Sequence, residues 1–184
     1  HVIQPDGKII VAGNAGNPSF QQMAVARFYP DGSLDETFGD NGTATYDLVL
    51  NPSFANGLVL LTDGKILVTG YTFSDFVGDF AAIRLNADGS LDTSFGTDGV
   101  VIVDNGGSEV SESMVLLEDE SFIIVGYHND TFTVAKFTKE GAIDTSFGNN
   151  GWTMVPLGDA LSYTKDIALT PEGDIIIAGS ILST

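Results

Sequence analysis

Residues 31–42 read DGSLDETFGDNG, and this polar phrase returns twice further along the chain. The copies are DGSLDTSFGTDG at residues 88–99 and EGAIDTSFGNNG at residues 140–151. A phrase that recurs at a nearly constant interval indicates a repeat architecture, in which each unit packs on its neighbours. The recurrence therefore decides the fold before any single segment is assigned.

A second phrase alternates with the first and consists of a tight turn followed by an apolar run that closes on glycine. It reads PDGKIIVAG at residues 5–13, TDGKILVTG at 62–70, DESFIIVG at 119–126 and PEGDIIIAG at 171–179. The copies begin about 55 residues apart, which is within the range of known propeller and solenoid repeats. The third copy lacks the turn glycine, which leaves the conformation of that turn open.

Each unit holds four short apolar segments, most clearly at residues 57–61, 65–71, 80–86 and 100–103. Short runs rich in Val, Ile and Phe between Asp-Gly turns predict β-strands joined in hairpins. Residues 111–118 also fit a helical pattern, but their place in the repeat predicts a strand.

Four antiparallel strands per unit are typical of a propeller blade. We predict an all-β chain, a β-propeller of four-stranded antiparallel blades with about three and a half blades present. The chain is expected to be a single propeller segment, 1–184, with repeat units of approximately 1–50, 51–106, 107–158 and 159–184. The first and last units are expected to be incomplete, the first beginning at the turn before its second strand. A partial propeller of this kind is completed either by further repeats or by assembly of copies into a ring.

Both phrases resemble the delta-sixty repeat, a bacterial β-propeller repeat, most clearly at residues 5–8, 33–42 and 90–99. The resemblance covers practically the whole chain. It implies secreted or cell-surface bacterial proteins, often large and multidomain. No catalytic residues are carried over with it.

The chain is strongly acidic, with 25 Asp and Glu against 7 Lys and Arg, and a net charge of −18. Such a surface repels phosphate backbones and anionic lipids, so we expect no nucleic-acid partner. No apolar run approaches the ~20 residues that span a bilayer, so we expect no membrane insertion. The chain has no cysteine, which excludes disulfides, thiolate nucleophiles and cysteine-ligated zinc.

The few basic residues occupy a repeated position at the end of the third strand, eight residues before an aspartate. The three pairs are Arg27 with Asp35, Arg84 with Asp92, and Lys136 with Asp144. Eight residues in a hairpin bring the two side chains together, which predicts one ion pair per blade. The aromatic residue of the polar phrase, Phe38, Phe95 or Phe147, is expected to pack nearby.

The polar phrase also invites a calcium interpretation, because Asp31, Ser33 and Asp35 alternate as at the start of an EF-hand loop. That loop needs Gly at its sixth position and Glu at its twelfth, where this chain has Glu36 and Gly42. Aspartates that accept backbone N–H bonds in tight turns explain the phrase better. We therefore predict no metal ligands and no cofactor.

Signs of catalysis are scarce in this sequence. His128 is expected in a loop beside Asn129 and Asp130, where it is most simply a solvated side chain. No nucleophile elbow, zinc-protease, P-loop or dinucleotide motif is present. We predict no catalytic and no cofactor-binding residues, and hence not an enzyme.

Aromatic residues gather after the second strands, where loops are expected: Tyr71, Phe73, Phe76 and Tyr127. Such residues either stack on sugars or on a partner protein, or they cover the edge of their own blade. The sequence favours the covering role.

Variable loops beside constant turns are typical of a scaffold that presents a binding face. We therefore expect a non-catalytic, secreted or cell-surface propeller segment that acts as a protein- or glycan-binding or adhesion scaffold. Its partners are a protein, a glycan, or further propeller repeats of the same or another chain. The alternative is a fragment of a propeller enzyme, for example a carbohydrate-active one, whose catalytic residues lie mainly outside this segment.

Overall fold

The computed structural model describes residues 1–17, 20–48, 52–74, 77–129, 131–156 and 161–182. These residues form three four-stranded antiparallel sheets and one two-stranded sheet, with the strands of each sheet in chain order. The prediction of an all-β chain built from four-stranded antiparallel blades is confirmed. No helix in the described part of the chain is long and apolar enough to cross a membrane.

The strands of blade 1 are β1 (Val2–Ile3), β2 (Ile9–Asn17), β3 (Phe20–Phe28) and β4 (Thr43–Tyr46). Blade 2 comprises β5 (Ser53–Leu60), β6 (Ile66–Ser74), β7 (Val77–Leu85) and β8 (Val100–Val103). Blade 3 comprises β9 (Glu109–Leu116), β10 (Phe122–His128), β11 (Thr131–Phe137) and β12 (Trp152–Val155). The two strands of blade 4 are β13 (Leu161–Leu169) and β14 (Ile175–Leu182).

Two local expectations are settled by the strand pairing. Blade 1 does not begin at its hairpin turn, because Val2 and Ile3 pair with Ile10 and Ile9 to form a short first strand. The ambiguous residues 111–118 are not helical, and most of them lie in β9. Pairing with β10 supplies the backbone hydrogen bonds that favour a strand over a helix here.

The core lies between the blades, because each inner strand is apolar on both faces. Phe38, Ile66 and Met23 are fully buried where blade 1 meets blade 2. Between blades 2 and 3, Trp152 at the start of a fourth strand stacks on Phe80 with ring centroids 5.5 Å apart. The Trp152 side chain is buried at this junction.

The third hairpin keeps the geometry of the others although it lacks glycine. Glu120 adopts φ 64°, close to the φ 85° of Gly64 in blade 2. Left-handed backbone costs a non-glycine residue about 1 kcal/mol. In exchange, the Glu120 carboxylate accepts hydrogen bonds from the amide and hydroxyl of Thr62 in the neighbouring blade.

The first strands β5, β9 and β13 each carry a bulge opposite the glycine that closes the hairpin phrase. The bulge brings backbone against that glycine, so a Cβ on Gly126 would overlap the carbonyl oxygen of Val110. At the matching position of blade 1, a Cβ on Gly13 would meet no atom within 4 Å. The closing glycine is therefore needed sterically where the first strand is long enough to oppose it.

We predict that Gly126→Ala destabilises the protein by about 1–3 kcal/mol, because the backbone of β9 must shift to admit the new Cβ. Gly13→Ala is the matched control and is expected to be neutral or slightly stabilising, since alanine lowers the entropy of the unfolded chain. Urea unfolding of both variants measures the difference. Equal losses in the two variants would contradict the steric role of the bulge.

Candidate functional site

The two ends of the blades carry different kinds of connection. In antiparallel sheets, the turn between strands one and two lies at the same end as the turn between strands three and four. We call this end the corner face; it holds the polar phrases, named corner 1 (31–42), corner 2 (88–99) and corner 3 (140–151). The opposite end, with the hairpins between strands two and three and the links between blades, is the loop face.

The ion pairs predicted for the corners are present in all three. The nitrogen-to-oxygen distances are 2.7 Å for Arg27–Asp35, 2.6 Å for Arg84–Asp92 and 3.0 Å for Lys136–Asp144. In the first two corners the guanidinium also lies over the expected ring, 4.9 Å from the centroid of Phe38 and 4.8 Å from that of Phe95. In blades 1 and 2 a single arginine thus contacts both the aspartate and the aromatic ring of the phrase.

A second cation on two of these aspartates was not predicted. Lys8 Nζ lies 3.0 Å from Asp35 Oδ2, and Lys65 Nζ lies 3.0 Å from Asp92 Oδ2. Both lysines come from the hairpin phrase, which shares the corner face with the polar phrase. The antiparallel topology was the available signal, since it places the two phrases at one end of the sheet.

The remaining carboxylate oxygens of the corners accept bonds from their own turn. Asp35 Oδ1 accepts from the amide and the hydroxyl of Thr37, at 3.1 and 2.6 Å, and Asp31 Oδ1 accepts from Ser33 in the same way. The hydrogen bonds from Thr37 and Lys8 hold the pKa of the Asp35 carboxyl well below its usual range. These contacts support the turn interpretation of the phrase over the calcium interpretation.

The loop face carries an aromatic cluster formed by Phe54, Tyr71 and Phe73. Phe54 stacks on Tyr71 with centroids 4.9 Å apart, and Phe73 meets Tyr71 edge-on at 5.4 Å. Tyr71 and Phe73 were expected in a loop, but both lie within β6, because pairing with β7 continues to Ser74. All three are half-buried against one another, as the covering role predicts.

The other two aromatic residues singled out in the sequence are Tyr127 and Phe76. Tyr127 lies in β10 rather than in a loop, and its ring meets Tyr163 of blade 4 edge-on at 5.4 Å. Phe76 lies outside the described residues.

Three carboxylates also meet on the loop face, between blades 2 and 3. The oxygens of Asp79, Asp104 and Glu109 lie within 4.8 Å of one another. Asp79 belongs to β7, Asp104 follows β8, and Glu109 begins β9. Burial, together with the charges of Asp104 and Glu109, raises the pKa of Asp79.

His128 is not the solvated loop residue that was expected. It is the last residue of β10, and its side chain is 14% exposed. Its Nδ1 lies 2.5 Å from Oε1 of the fully buried Glu109, so the imidazole is a direct partner of this buried carboxylate. The pairing of β10 with β9 places His128 opposite Glu109 and explains the contact. The sequence alone could not predict the contact, because it does not give this register.

Oxygen ligands of this kind suit hard cations such as Ca²⁺ or Mg²⁺. Asp79, Asp104 and Glu109 are the residues that would hold such an ion within the described part of the chain. No signal in the sequence marked them, because they belong to no repeated phrase. The prediction of no metal ligands stays a prediction.

Comparison with known proteins supports the fold. A family model described as a β-propeller domain of unknown function (DUF5122) matches residues 4–38 and 61–95, which contain the first two copies of both phrases up to their phenylalanines. Among solved structures, a protein of unknown function from Bacteroides caccae matches with a TM-score of 0.53 and 12% identity. The match covers 94% of this chain and 53% of that one, so the chain spans about half the length of its structural relative. No curated protein matches the sequence.

These comparisons support the resemblance seen in the sequence at the level of a β-propeller repeat. At 12% identity the structural match shows the fold alone.

The coupling within a corner is measurable by a double-mutant cycle on Arg84 and Asp92. We predict that Arg84→Met and Asp92→Asn each destabilise the protein, because each leaves a buried charge without its main partner. The double variant is expected to lose less than the sum of the two, with a coupling of about 1–3 kcal/mol in urea unfolding. A coupling near zero would show that the pair does not act as a unit.

The carboxylate cluster predicts a contribution to the thermal stability that depends on pH. A raised pKa in the folded protein means that ionised Asp79 costs stability above its folded pKa, and costs nothing below the unfolded value of 3.8. Asp79→Asn is therefore expected to raise the Tm by a few degrees at about pH 7 and to leave it unchanged at about pH 3.

The matched control for this prediction is Asp174→Asn, an exposed hairpin residue at the corner face. Its Tm is expected to follow that of the parent protein at both pH values. A lower Tm for Asp79→Asn at about pH 7 would contradict the repulsion.

Proposed function

We propose that this β-propeller segment is a non-catalytic binding scaffold, secreted or displayed at the cell surface, whose loop face binds a protein or a glycan. The observation that carries the proposal is the contrast between its two faces. The sequence of the corner face repeats from blade to blade, and its basic residues pair with its own aspartates. The sequence of the loop face differs in every blade.

Most basic residues of the chain are already engaged at the corner face. Five of the seven basic residues form ion pairs with the corner aspartates, namely Lys8, Arg27, Lys65, Arg84 and Lys136. Basic groups that are already paired with aspartates offer little to an anionic ligand. This supports a structural role for the corners.

The loop face has the opposite character. The hairpins that follow the second strands read GNAGNPSF, GYTFSDFV and GYHNDT from the closing glycine onward, so they share almost nothing beyond that glycine. Phe20 and Val77, at matching positions where third strands begin, are 38% and 42% exposed. Exposed apolar side chains rimmed by polar ones are typical of interaction surfaces.

The chemistry of the loop face favours neutral or cationic partners. The carboxylates of Asp79 and Asp104 accept hydrogen bonds from hydroxyl or ammonium groups but repel phosphates. The half-buried rings of Phe54, Tyr71 and Phe73 add apolar area to the same face. Sugar hydroxyls with their C–H faces, and basic protein surfaces, both meet this description.

The proposed location is supported by the resemblance to the delta-sixty repeat, which implies secreted or cell-surface proteins. Binding at such a surface is the role that fits a rigid propeller with variable loops.

The test is a comparison of two double variants on an array of glycans and purified cell-surface proteins. Phe20→Ser with Val77→Ser alters the loop face, and Ile3→Ser with Leu34→Ser alters side chains of similar or greater exposure away from it. The loop-face variant is expected to lose at least about tenfold in affinity for whatever the parent protein binds, and the control less than about twofold.

Equal losses in the two variants, or no binding by the parent protein to any glycan or protein, would contradict the proposal. Release of soluble sugar from a bound glycan would support the enzyme alternative instead.

A further inference from the structure

The lysine of the hairpin phrase lies between two aspartates in blade 1. Lys8 Nζ is 3.0 Å from Asp35 Oδ2 of the corner and 3.7 Å from Asp6 Oδ2 of the hairpin. The other oxygen of the hairpin aspartate, Asp6 Oδ1, accepts a hydrogen bond from the amide of Lys8. The corner face of this blade therefore holds one primary ammonium group between a hairpin carboxylate and a corner carboxylate.

Blade 2 repeats this arrangement at the equivalent positions. Lys65 Nζ is 3.0 Å from Asp92 Oδ2 and 3.6 Å from Asp63 Oδ2. Asp63 Oδ1 likewise accepts a hydrogen bond from the amide of Lys65. Because two blades bind an ammonium group in the same way, the position is a cation site of the repeat itself.

Blade 3 has both aspartates but no lysine between them. Asp119 and Asp144 stand at the positions of the hairpin and corner aspartates, and Ser121 stands at the position of the lysine. Asp119 Oδ1 accepts hydrogen bonds from the amide and the hydroxyl of Ser121, at 3.0 and 2.5 Å. Within the described part of the chain, no hydrogen bond or ion pair reaches Asp119 Oδ2, the oxygen that faces the ammonium group in the other two blades.

A cavity lies where the lysine side chain is missing. It has a volume of about 290 Å³, and Asp119, Ser121 and Asp144 are among the residues that line it. Thr138 also lines it, at the position where the ring of Tyr29 lies beneath the Lys8 ammonium in blade 1. Two short side chains therefore leave open the space that a lysine and a tyrosine fill in blade 1.

The position of this cavity is accessible in every blade, whether or not another corner packs beside it. Corner 2 contacts corner 1 through Arg27, and corner 3 contacts corner 2 through Arg84. Lys8 and Lys65 are nevertheless 25% and 31% exposed. An ammonium group at this position is thus reached from solvent even where the corners are packed together.

The cavity in blade 3 lacks positive charge compared with its counterparts. Lys136 is the single basic partner of Asp144 in the described structure, whereas the corner aspartates of blades 1 and 2 have two each. The carboxylates of Asp119 and Glu140 also line the cavity. An added cation would therefore restore the charge pattern of the other corners.

The neighbouring groups favour an ammonium group over a metal ion. Ca²⁺ takes about six to eight oxygen ligands, and the ammonium of Lys136 already occupies one carboxylate oxygen and repels a divalent ion. A primary ammonium needs up to three acceptors, and carboxylate oxygens supply them. Lys139 lines the cavity as well, but it is exposed and forms no ion pair within the described part of the chain.

We propose that the cavity between Asp119 and Asp144 binds a primary ammonium group, namely the lysine side chain of a partner protein. The ammonium takes the place that Lys8 and Lys65 fill in their own blades, with Oδ2 of each aspartate as an acceptor. A lysine is the occupant because the same side chain already fills the two equivalent positions. This site lies on the corner face and is separate from the loop face of the proposed function.

The probe for this site is Nα-acetyl-lysine methylamide, which presents a lysine side chain on a capped backbone. Titrated into the full chain at neutral pH, it is expected to shift the NMR resonances of the Ser121 and Ser146 amides until they saturate. These two amides donate to the carboxylates of Asp119 and Asp144, so they report on both acceptors.

Two modified probes distinguish a built site from general attraction to an acidic surface. The Nε-acetylated probe has no charge, and the Nε-trimethylated probe keeps its charge but has no N–H donor on its terminal nitrogen. Both are expected to bind at least about tenfold more weakly than the lysine probe. Equal binding of the trimethylated and unmodified probes would overturn the proposal.

Two substitutions remove the site from one blade and create it in another. Ser121→Lys restores the lysine of the repeat, so it is expected to weaken probe binding by at least about tenfold. The same variant is expected to raise the Tm by a few degrees, because Asp144 gains a second cation. Lys65→Ser opens the equivalent position in blade 2 and is expected to add a second site, seen as saturable shifts of the Ser94 amide, which donates to Asp92.

The loop-face variant, Phe20→Ser with Val77→Ser, is the control and is expected to keep the affinity for the probe within about twofold. Undiminished binding of the probe to Ser121→Lys would overturn the site. A saturable response to Ca²⁺ without one to the lysine probe would overturn the choice of an ammonium group. Cadaverine binding at least about tenfold more tightly than the lysine probe would assign the cavity to a free diamine and overturn the partner lysine.

Discussion

A buried aspartate with its cations is the interaction on which the rest of this structure depends. Asp35 joins three parts of the blade, because it binds Lys8 from the hairpin, Arg27 from the third strand and Thr37 within its own turn. The guanidinium continues outward to a carbonyl of the next blade. Buried ion pairs of this kind contribute more to choosing one conformation than to net stability, since desolvation offsets much of the attraction. The corner therefore fixes the turn and the position of the neighbouring blade together.

This constraint explains why the two faces of the molecule differ. A corner that must satisfy its own blade and the next one tolerates few substitutions, so its sequence repeats. The loop face carries no such double requirement, and its hairpins are free to differ in sequence while the strands below stay fixed. The carboxylates of Asp79, Asp104 and Glu109 illustrate that freedom, because they meet at a single blade junction and have no counterpart in the repeated phrases.

The sequence could predict what is local or periodic. The pairing of Arg27 with Asp35 followed from a spacing of eight residues, and the blades followed from the repeated phrases. The contact between Lys8 and Asp35 depends on a register across the sheet, which spacing along the chain does not contain. His128 was assigned to solvent for the same reason, since only the pairing of β9 with β10 places it beside Glu109. Contacts between blades could not be predicted from the sequence wherever the residues belonged to no repeated phrase.

The third corner shows how the repeat behaves when one of its parts is replaced. Ser121 stands where blades 1 and 2 have Lys8 and Lys65, and Lys136 replaces the arginine. Asp144 accordingly keeps one basic partner, and its side chain is 21% exposed, compared with 0% for Asp35 and 9% for Asp92. Hydrogen bonds from Ser146 and Lys136 still lower its pKa to about 2, so the turn retains its internal bonds without the second cation. The turn is thus closed by its own residues, whereas full burial of its aspartate and its ring, as in corners 1 and 2, depends on contacts from outside it.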